Sequence, residues 1–83
     1  PKILIKKVSS VYSKIIGKNK THLSCTLEDI YGNRINAMIF NFENSILRVI
    51  EEKREFDVIG KVSLNVWENK KIPQFFIEDL RVI

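Results

Sequence analysis

The chain has 83 residues, of which 45% are hydrophobic and 29% are charged, and its net charge is +4. A chain of this length forms one small domain that buries only about 60% of its unfolded surface, and its composition argues against disorder. No apolar run reaches the roughly 18 residues of a membrane-spanning helix, and the lysine-rich start leads into no signal-peptide core. We therefore expect a soluble, cytoplasmic protein. One His and one Cys exclude an internal disulfide and a zinc site built from this chain alone.

The charged residues are unevenly distributed along the chain. Residues 1–20 contain six lysines and no acid, whereas residues 43–57 contain five acids. This asymmetry predicts one basic face and one neutral or acidic face, and a basic face is typical of proteins that bind nucleic acids. The alternative is that the lysines only keep a small domain in solution.

Strand-like runs separated by turn signals occupy the first half of the chain. The run KILIKKVSSVYSKII is rich in β-branched residues and long enough for a bent first strand, which ends at Gly17 in the polar loop GKNKT. HLSCTLED and RINAMIF alternate between apolar and polar residues, and DIYGNR between them supplies Gly and Asn for a tight hairpin. The inward-facing residues predicted by this alternation are Leu23, Cys25 and Leu27, followed by Ile35, Ala37 and Ile39.

A helical pattern interrupts the strands at NFENSILRVIEEKRE. Apolar residues recur there at helical spacing, which predicts one short helix. The residues that produce this spacing are Ile46, Leu47 and Ile50. The candidates for the N-cap are Asn41, Asn44 and Ser45.

Two further strands complete the chain. FDVIGKVSLNVW returns to strand alternation, and Gly60 lies where a glycine can permit a bend or a bulge. After the turn ENKK, IPQFFIEDLRVI forms the last strand, which changes phase near Asp79. The inward-facing residues predicted for these strands are Phe56, Val58, Val62, Leu64 and Val66, followed by Phe75, Ile77, Leu80 and Val82.

The order of three strands, one helix and two strands predicts an all-β fold with one short helix. It is the order of a five-stranded OB-fold barrel, in which the helix lies between the third and fourth strands and closure removes exposed edges. The alternative is a small barrel of the SH3 type, where a helix of this length before the fourth strand is unusual. We expect residues 1–83 to form a single OB-fold domain.

This fold predicts where a ligand binds. OB folds bind oligonucleotides on strands two and three and on the loops between strands one and two and between strands four and five. Both loops, GKNKT and ENKK, are basic, and Trp67 either offers a stacking surface to a base or caps the open end of the barrel. The candidate nucleic-acid-binding residues are Lys18, Lys20, Arg34, Asn36, Met38, Lys61, Trp67, Lys70 and Lys71. Asn65, Gln74 and Asp79 either form a structural network between the last two strands or contact nucleic acid.

From about His22 to Arg81 the chain resembles the OB domain near the C-terminus of the RecJ family, single-strand-specific 5′-to-3′ exonucleases. The segments that resemble it are HLSCTLED, AMIFN and FDVIGKVSLNVWENKKIPQFFIEDL. In such proteins Asn-Gly often follows the aromatic residue, whereas this chain has Glu68-Asn69, which leaves the geometry of the turn open. The individual residues that match are His22, Leu23, Phe40, Asp57, Asn65, Trp67, Gln74 and Asp79.

The resemblance implies that the chain is part of a larger nuclease acting in DNA repair and recombination. A divalent metal, Mn or Mg, would then be held by other domains, and no catalytic residue or metal ligand is expected within residues 1–83. Single-stranded DNA and the nuclease domains of the same polypeptide are the implied partners. His22 has no candidate partner for catalysis, so we interpret it as a structural residue.

Two hypotheses for the function of the domain follow. The first is an accessory domain that guides single-stranded DNA to the catalytic core. The second is an interaction module with little DNA affinity of its own, which predicts an exposed apolar patch involving Ile59, Phe76 and Val11.

Overall fold

A computed structural model describes all residues, 1–83, and contains the predicted five strands and one helix in the predicted order. The helix has eight residues, and no helix in the structure is long and apolar enough to cross a membrane. The elements are β1 (Ile3–Ile16), β2 (His22–Glu28), β3 (Arg34–Ile39), α1 (Asn44–Glu51), β4 (Phe56–Trp67) and β5 (Lys70–Val82).

The five strands close into a barrel in the order β1-β2-β3-β5-β4, which confirms the predicted OB fold. Closure depends on the bend of β1, because the start of this strand pairs with β4 and its end pairs with β2. At the bend, Lys7 has a φ of 55°, and its backbone N–H donates to Asp57 Oδ1 at 3.1 Å. The side chain of Asp57 thus binds a backbone donor that the irregular pairing leaves free.

The core consists of alternate residues of the strands and one side of α1. The inward-facing rows predicted for β2 and β3 are confirmed, with Leu23 and Ala37 fully buried at 0% exposure. Each large apolar side chain buried here contributes about 1.5–3 kcal/mol relative to an exposed one. The buried hydrophobic residues are Val8, Leu23, Cys25, Leu27, Ala37, Ile39, Val49, Ile50, Phe56, Val58 and Phe75.

The predicted helix is present, but its predicted N-cap is wrong. The cap is Glu43, which has an extended backbone and whose carbonyl accepts the N–H groups of Ile46 and Leu47 at 3.0 and 3.1 Å. Asn44 is already the first helical residue, and Ser45 is the second. Asn41 turns the chain after β3 with a φ of 52°. The side chain of Glu43 makes no capping hydrogen bond, so a preference for Asn or Ser could not locate this cap.

The prediction that β4 is inward-facing along its whole length is wrong beyond Gly60. Phe56 and Val58 are buried, whereas the exposed fractions of Val62, Leu64 and Val66 are 42, 56 and 69%. The pairing explains this difference, because β1 pairs with β4 only up to Gly60 and β3 pairs with β5 only from Gln74 onward. From Leu64 to Pro73 the two strands pair only with each other and extend past the barrel, and we call residues 64–73 the β4–β5 ribbon.

The two irregularities predicted in β4 and β5 are both present. The β4–β5 pairing shifts register between Ile59 and Gly60, which are opposite Asp79 and Ile77. The unpaired residue is Glu78, and it changes the phase of β5 beside Asp79 as predicted. Phe75 is buried before the shift, and Leu80 and Val82 are half-buried after it.

The turn at the tip of the ribbon consists of Glu68 and Asn69, with φ values of 49° and 63°. Two consecutive residues in the left-handed region form a type I′ turn, which fits the twist of a hairpin. The turn geometry that the sequence left open is therefore the one that Asn-Gly favours, adopted without the glycine.

Candidate nucleic-acid interface

The solvent side of the sheet β2-β3-β5-β4 carries most of the candidate residues, and we call it the outer face. Cross-strand partners point to the same side of a sheet, so the register defines rows that cross it. One row is formed by Ser24, Met38, Phe76 and Lys61. The next row is formed by Thr26, Asn36, Gln74 and Ser63. The predicted residues Asn36, Met38 and Lys61 thus lie on one continuous surface.

The two basic loops lie at opposite ends of this face. The loop with Lys18 and Lys20 is attached to the end of β3, because the N–H of Phe42 donates to the carbonyl of Thr21 at 3.1 Å. The ribbon tip lies beyond the start of β3, because β5 runs parallel to β3 with Asn36 opposite Gln74. The length of β3 separates the two loops by about 20 Å at a rise of about 3.3 Å per residue.

Lys70 and Lys71 are neighbours in sequence but lie on opposite sides of the ribbon. Lys70 is opposite Trp67 on the outer face, while Lys71 is opposite Val66 on the apolar side. The structure therefore brings Lys61, Trp67 and Lys70 together on one face and does not bring Lys71 to it.

Trp67 and Arg34 have different surroundings. The exposed fraction of Trp67 is 67%, so its indole does not cap the barrel. Arg34 forms an ion pair with Glu28, with 2.7 Å between Nε and Oε2, which reduces the positive charge that the start of β3 offers to a phosphate. A pair this exposed contributes little to stability.

The predicted network between β4 and β5 is only partly formed. Asn65 Nδ2 donates to Gln74 Oε1 at 2.8 Å, which joins the two strands across the outer face. Asp79 takes no part, because its Oδ1 accepts the N–H of Leu80 at 2.8 Å. Asn65 and Gln74 are therefore a structural pair on the face that would contact a ligand.

His22 has the structural role that the sequence predicted for it. Its Nδ1 accepts the N–H of Asn41 at 3.1 Å. The imidazole also contacts the ring of Phe40 edge to face, with 5.0 Å between ring centroids and an angle of 84°. His22 thus links the start of β2 to the residues that follow β3.

An aromatic pair on the outer face was missed by the sequence analysis. Phe40 stacks on Phe76, with 5.7 Å between centroids and an angle of 14° between ring planes. The two phenylalanines are 36 positions apart in the chain and come together only through the β3–β5 pairing. The signal available in the sequence was the outward phase of Phe40 at the end of β3.

Two titratable groups have pKa values displaced from their ordinary range. Burial raises the pKa of the Cys25 thiol to about 12, so the thiol stays protonated at neutral pH. Hydrogen bonds from Asn33 and the neighbouring backbone lower the pKa of Asp29, an effect confined to the exposed β2–β3 turn.

The residues present do not fit a metal ion. No group of three or more His, Cys, Asp or Glu side chains is placed to hold one. The adjacent acids Glu78 and Asp79 have other partners, since Glu78 pairs with Lys2 at 3.7 Å and Asp79 binds a backbone N–H.

The chain has the closed five-stranded barrel of OB-fold domains, with the helix between β3 and β4. Its outer face carries basic and aromatic side chains. Residues 1–79 match the family model of the RecJ OB domain, and the chain belongs to this family. The predicted resemblance is thereby confirmed.

One relative is the protein named single-stranded-DNA-specific exonuclease RecJ of Bacillus subtilis (strain 168). It is 28% identical over 82 residues, which cover 99% of this chain and 10% of the relative. The chain thus spans about a tenth of the length of that protein.

Proposed function

We propose that this domain binds single-stranded DNA and guides it to a nuclease centre located in other domains of a longer polypeptide. The main support is the outer face, where Lys61, Trp67 and Lys70 lie on the same side as the polar residues of β2 and β3. The name of the Bacillus relative, a single-stranded-DNA-specific exonuclease, agrees with this ligand. Any Mn²⁺ or Mg²⁺ that the parent enzyme needs would be bound by those other domains.

The composition of the outer face favours binding without strong sequence preference. Lysines bind phosphates of any sequence, and aromatic side chains stack on any base. The amides of Asn65 and Gln74 bond to each other, which leaves few free groups to read base edges. Affinity should therefore fall with salt, with a logarithmic slope of about 0.7 per phosphate contacted.

Fluorescence anisotropy of a labelled oligothymidine tests this proposal at low and moderate salt, with duplex DNA in parallel. The domain should prefer the single strand, and the double variant Trp67→Ala, Lys70→Ala should bind it more weakly. Lys71→Ala is a matched control for Lys70→Ala, because both remove one exposed lysine from the ribbon but from opposite sides. Salt-independent binding, or equal losses from Lys70→Ala and Lys71→Ala, would contradict an interface on the outer face.

A second candidate function is contact with another domain of the same polypeptide. The apolar side of the ribbon favours it, because Leu64 and Val66 form an exposed row that Val62 continues into the barrel sheet. The residues first predicted for such a patch, Ile59, Phe76 and Val11, are half-buried and less suited to it. A neighbouring domain that covers this row would be stabilised by the hydrophobic effect.

The full-length protein provides the test of this second function. Leu64→Ser removes an apolar side chain that is 56% exposed in the isolated domain, so it should change the stability of that domain little. If another domain covers the row, the same substitution should lower the melting temperature of the full-length protein clearly more. Equal effects in the two proteins would contradict interdomain contact at this row.

A further inference from the structure

The ring of Phe40 is held in place by contacts with two other rings. Phe40 is 52% exposed, although its ring contacts both Phe76 and His22. The orientation of His22 is in turn fixed by the N–H of Asn41. A ring that is both exposed and already oriented can stack on a base with little further loss of conformational freedom.

Phe76 also lies in the middle of a row that crosses the whole sheet. The row of Ser24, Met38, Phe76 and Lys61 extends to β1, because Lys14 is opposite Ser24. It therefore begins and ends with an exposed lysine and has Met38 and Phe76 at its centre. Four strand spacings of about 4.8 Å separate the two lysines by roughly 19 Å along the curved surface of the barrel.

The charges around Phe40 and Phe76 restrict the direction in which a bound DNA strand can run. On the side of Phe40 next to α1, a shallow cavity is lined by Glu43, Glu78 and Asp79. Lys2 pairs with Glu78, but Glu43 and Asp79 disfavour phosphates on that side, whereas the row from Lys14 to Lys61 contains no acid. The favourable path for single-stranded DNA therefore follows the row from Lys14 to Lys61, across the β-strands.

We infer that Phe40 and Phe76 form the main base-stacking site of this domain and that Lys14 and Lys61 bind phosphates on either side of it. Trp67 lies about six residues, or roughly 20 Å, further along β4 from Lys61, so one base cannot contact both aromatic sites. This inference rests on the proposed function and names the part of the outer face where the bases are held.

The experiment compares two labelled probes, an oligothymidine of about 12 nucleotides, within the usual site size of an OB fold, and an abasic oligomer of the same length. The wild-type chain should bind the oligothymidine more tightly. Phe40→Leu should raise the Kd for oligothymidine roughly 5- to 140-fold, the range given by loss of one stacking contact, and leave the Kd for the abasic probe unchanged. Phe40→Tyr keeps the ring and should retain affinity.

Three controls separate stacking from general effects. Tyr31→Leu removes another exposed aromatic residue, 82% exposed in the β2–β3 turn, and should leave both affinities unchanged. Lys14→Ala should reduce the salt slope by about 0.7 for either probe, as loss of one phosphate contact requires. Circular dichroism melting of each variant shows whether the barrel is intact, which is expected since Phe40 is not part of the buried core.

The outcomes distinguish this inference from the proposed function. If the wild-type chain binds oligothymidine and Phe40→Leu binds it equally well, the stacking site is elsewhere and the proposed function still stands. Equal wild-type affinity for the two probes would also overturn the inference, because it would show that only phosphates are bound. If the wild-type chain binds neither probe at low salt, the proposed function fails and the inference fails with it.

Discussion

Gly60 is the last residue of β4 that pairs with β1, and we predict that Gly60→Ala strongly destabilises the domain. Gly60 is buried and lies at the register shift between β4 and β5. A Cβ atom added there would lie 2.0 Å from the carbonyl oxygen of Phe76 and 2.9 Å from its carbonyl carbon. The obstacle is the backbone of the paired strand, so no change of side-chain rotamer can relieve the clash.

The size of the effect follows from the displacement needed. Ordinary contact begins at 3.4 Å, so the two strands must separate by about 1.4 Å at a point where β4 is also paired with β1. Overpacking in a core costs about 1–3 kcal/mol and occasionally more, and we expect a loss of about 3 kcal/mol because the backbone itself must move. The total stability of a chain of this length is only about 4–12 kcal/mol, and the melting temperature should fall by about 12–24 °C.

Thermal and urea unfolding followed by far-ultraviolet circular dichroism measures this loss, and Gly32→Ala is the matched control. A Cβ atom at Gly32 meets nothing within 4 Å, but its φ of +85° makes any side chain strained. Gly32→Ala should therefore cost only about 1 kcal/mol, the cost of the backbone conformation alone. A loss for Gly60→Ala no greater than that for Gly32→Ala would refute the reasoning, because it would show that the strands shift freely at the bulge.

Three further predictions concern stability. Replacing Glu68 by Asn and Asn69 by Gly gives the type I′ turn its preferred residues, and should raise the unfolding free energy by about 1 kcal/mol in urea titrations. Burial raises the pKa of Cys25 from 9.0 in the unfolded chain to about 12, so burial of the neutral thiol stabilises the fold in full below pH 9. Between pH 9 and pH 12 this stabilisation is lost, because the thiol of the unfolded chain releases its proton while the buried thiol keeps it. The loss is about 1.4 kcal/mol per pH unit, and a comparison with Cys25→Ala, which lacks this slope, measures it. Asp57→Ala leaves the N–H of Lys7 without its acceptor and should cost about 1–3 kcal/mol, whereas a melting temperature equal to that of the wild type would exclude this role.

The parts of the fold that the sequence predicted are those in which one side of a strand is buried along its whole length. β2 and β3 are of this kind, and their alternation identified the buried rows around Cys25 and Ala37. In β4 the same alternation continues past Gly60, yet the residues beyond it are exposed. Periodicity shows which side chains share a side of a strand, but whether that side is covered depends on where the neighbouring strands end.

The candidate site was predictable to a similar extent. Loop position and residue type identified Lys61, Trp67 and Lys70, which lie on one face. The stacking of Phe40 on Phe76 was not predictable, because it depends on the parallel register of β3 and β5, for which no local pattern exists in the chain.

The β4–β5 ribbon has two chemically different sides, which allows the two proposed functions to act together. The outer side carries Trp67 and Lys70, while the other side presents Leu64 and Val66. A neighbouring domain that covered the apolar side would hold the ribbon against bending and fix Trp67 relative to the barrel. Contact between domains would then help to position the bound DNA instead of competing with DNA binding. On this basis Leu64→Ser should weaken DNA binding in the full-length protein but not in the isolated domain.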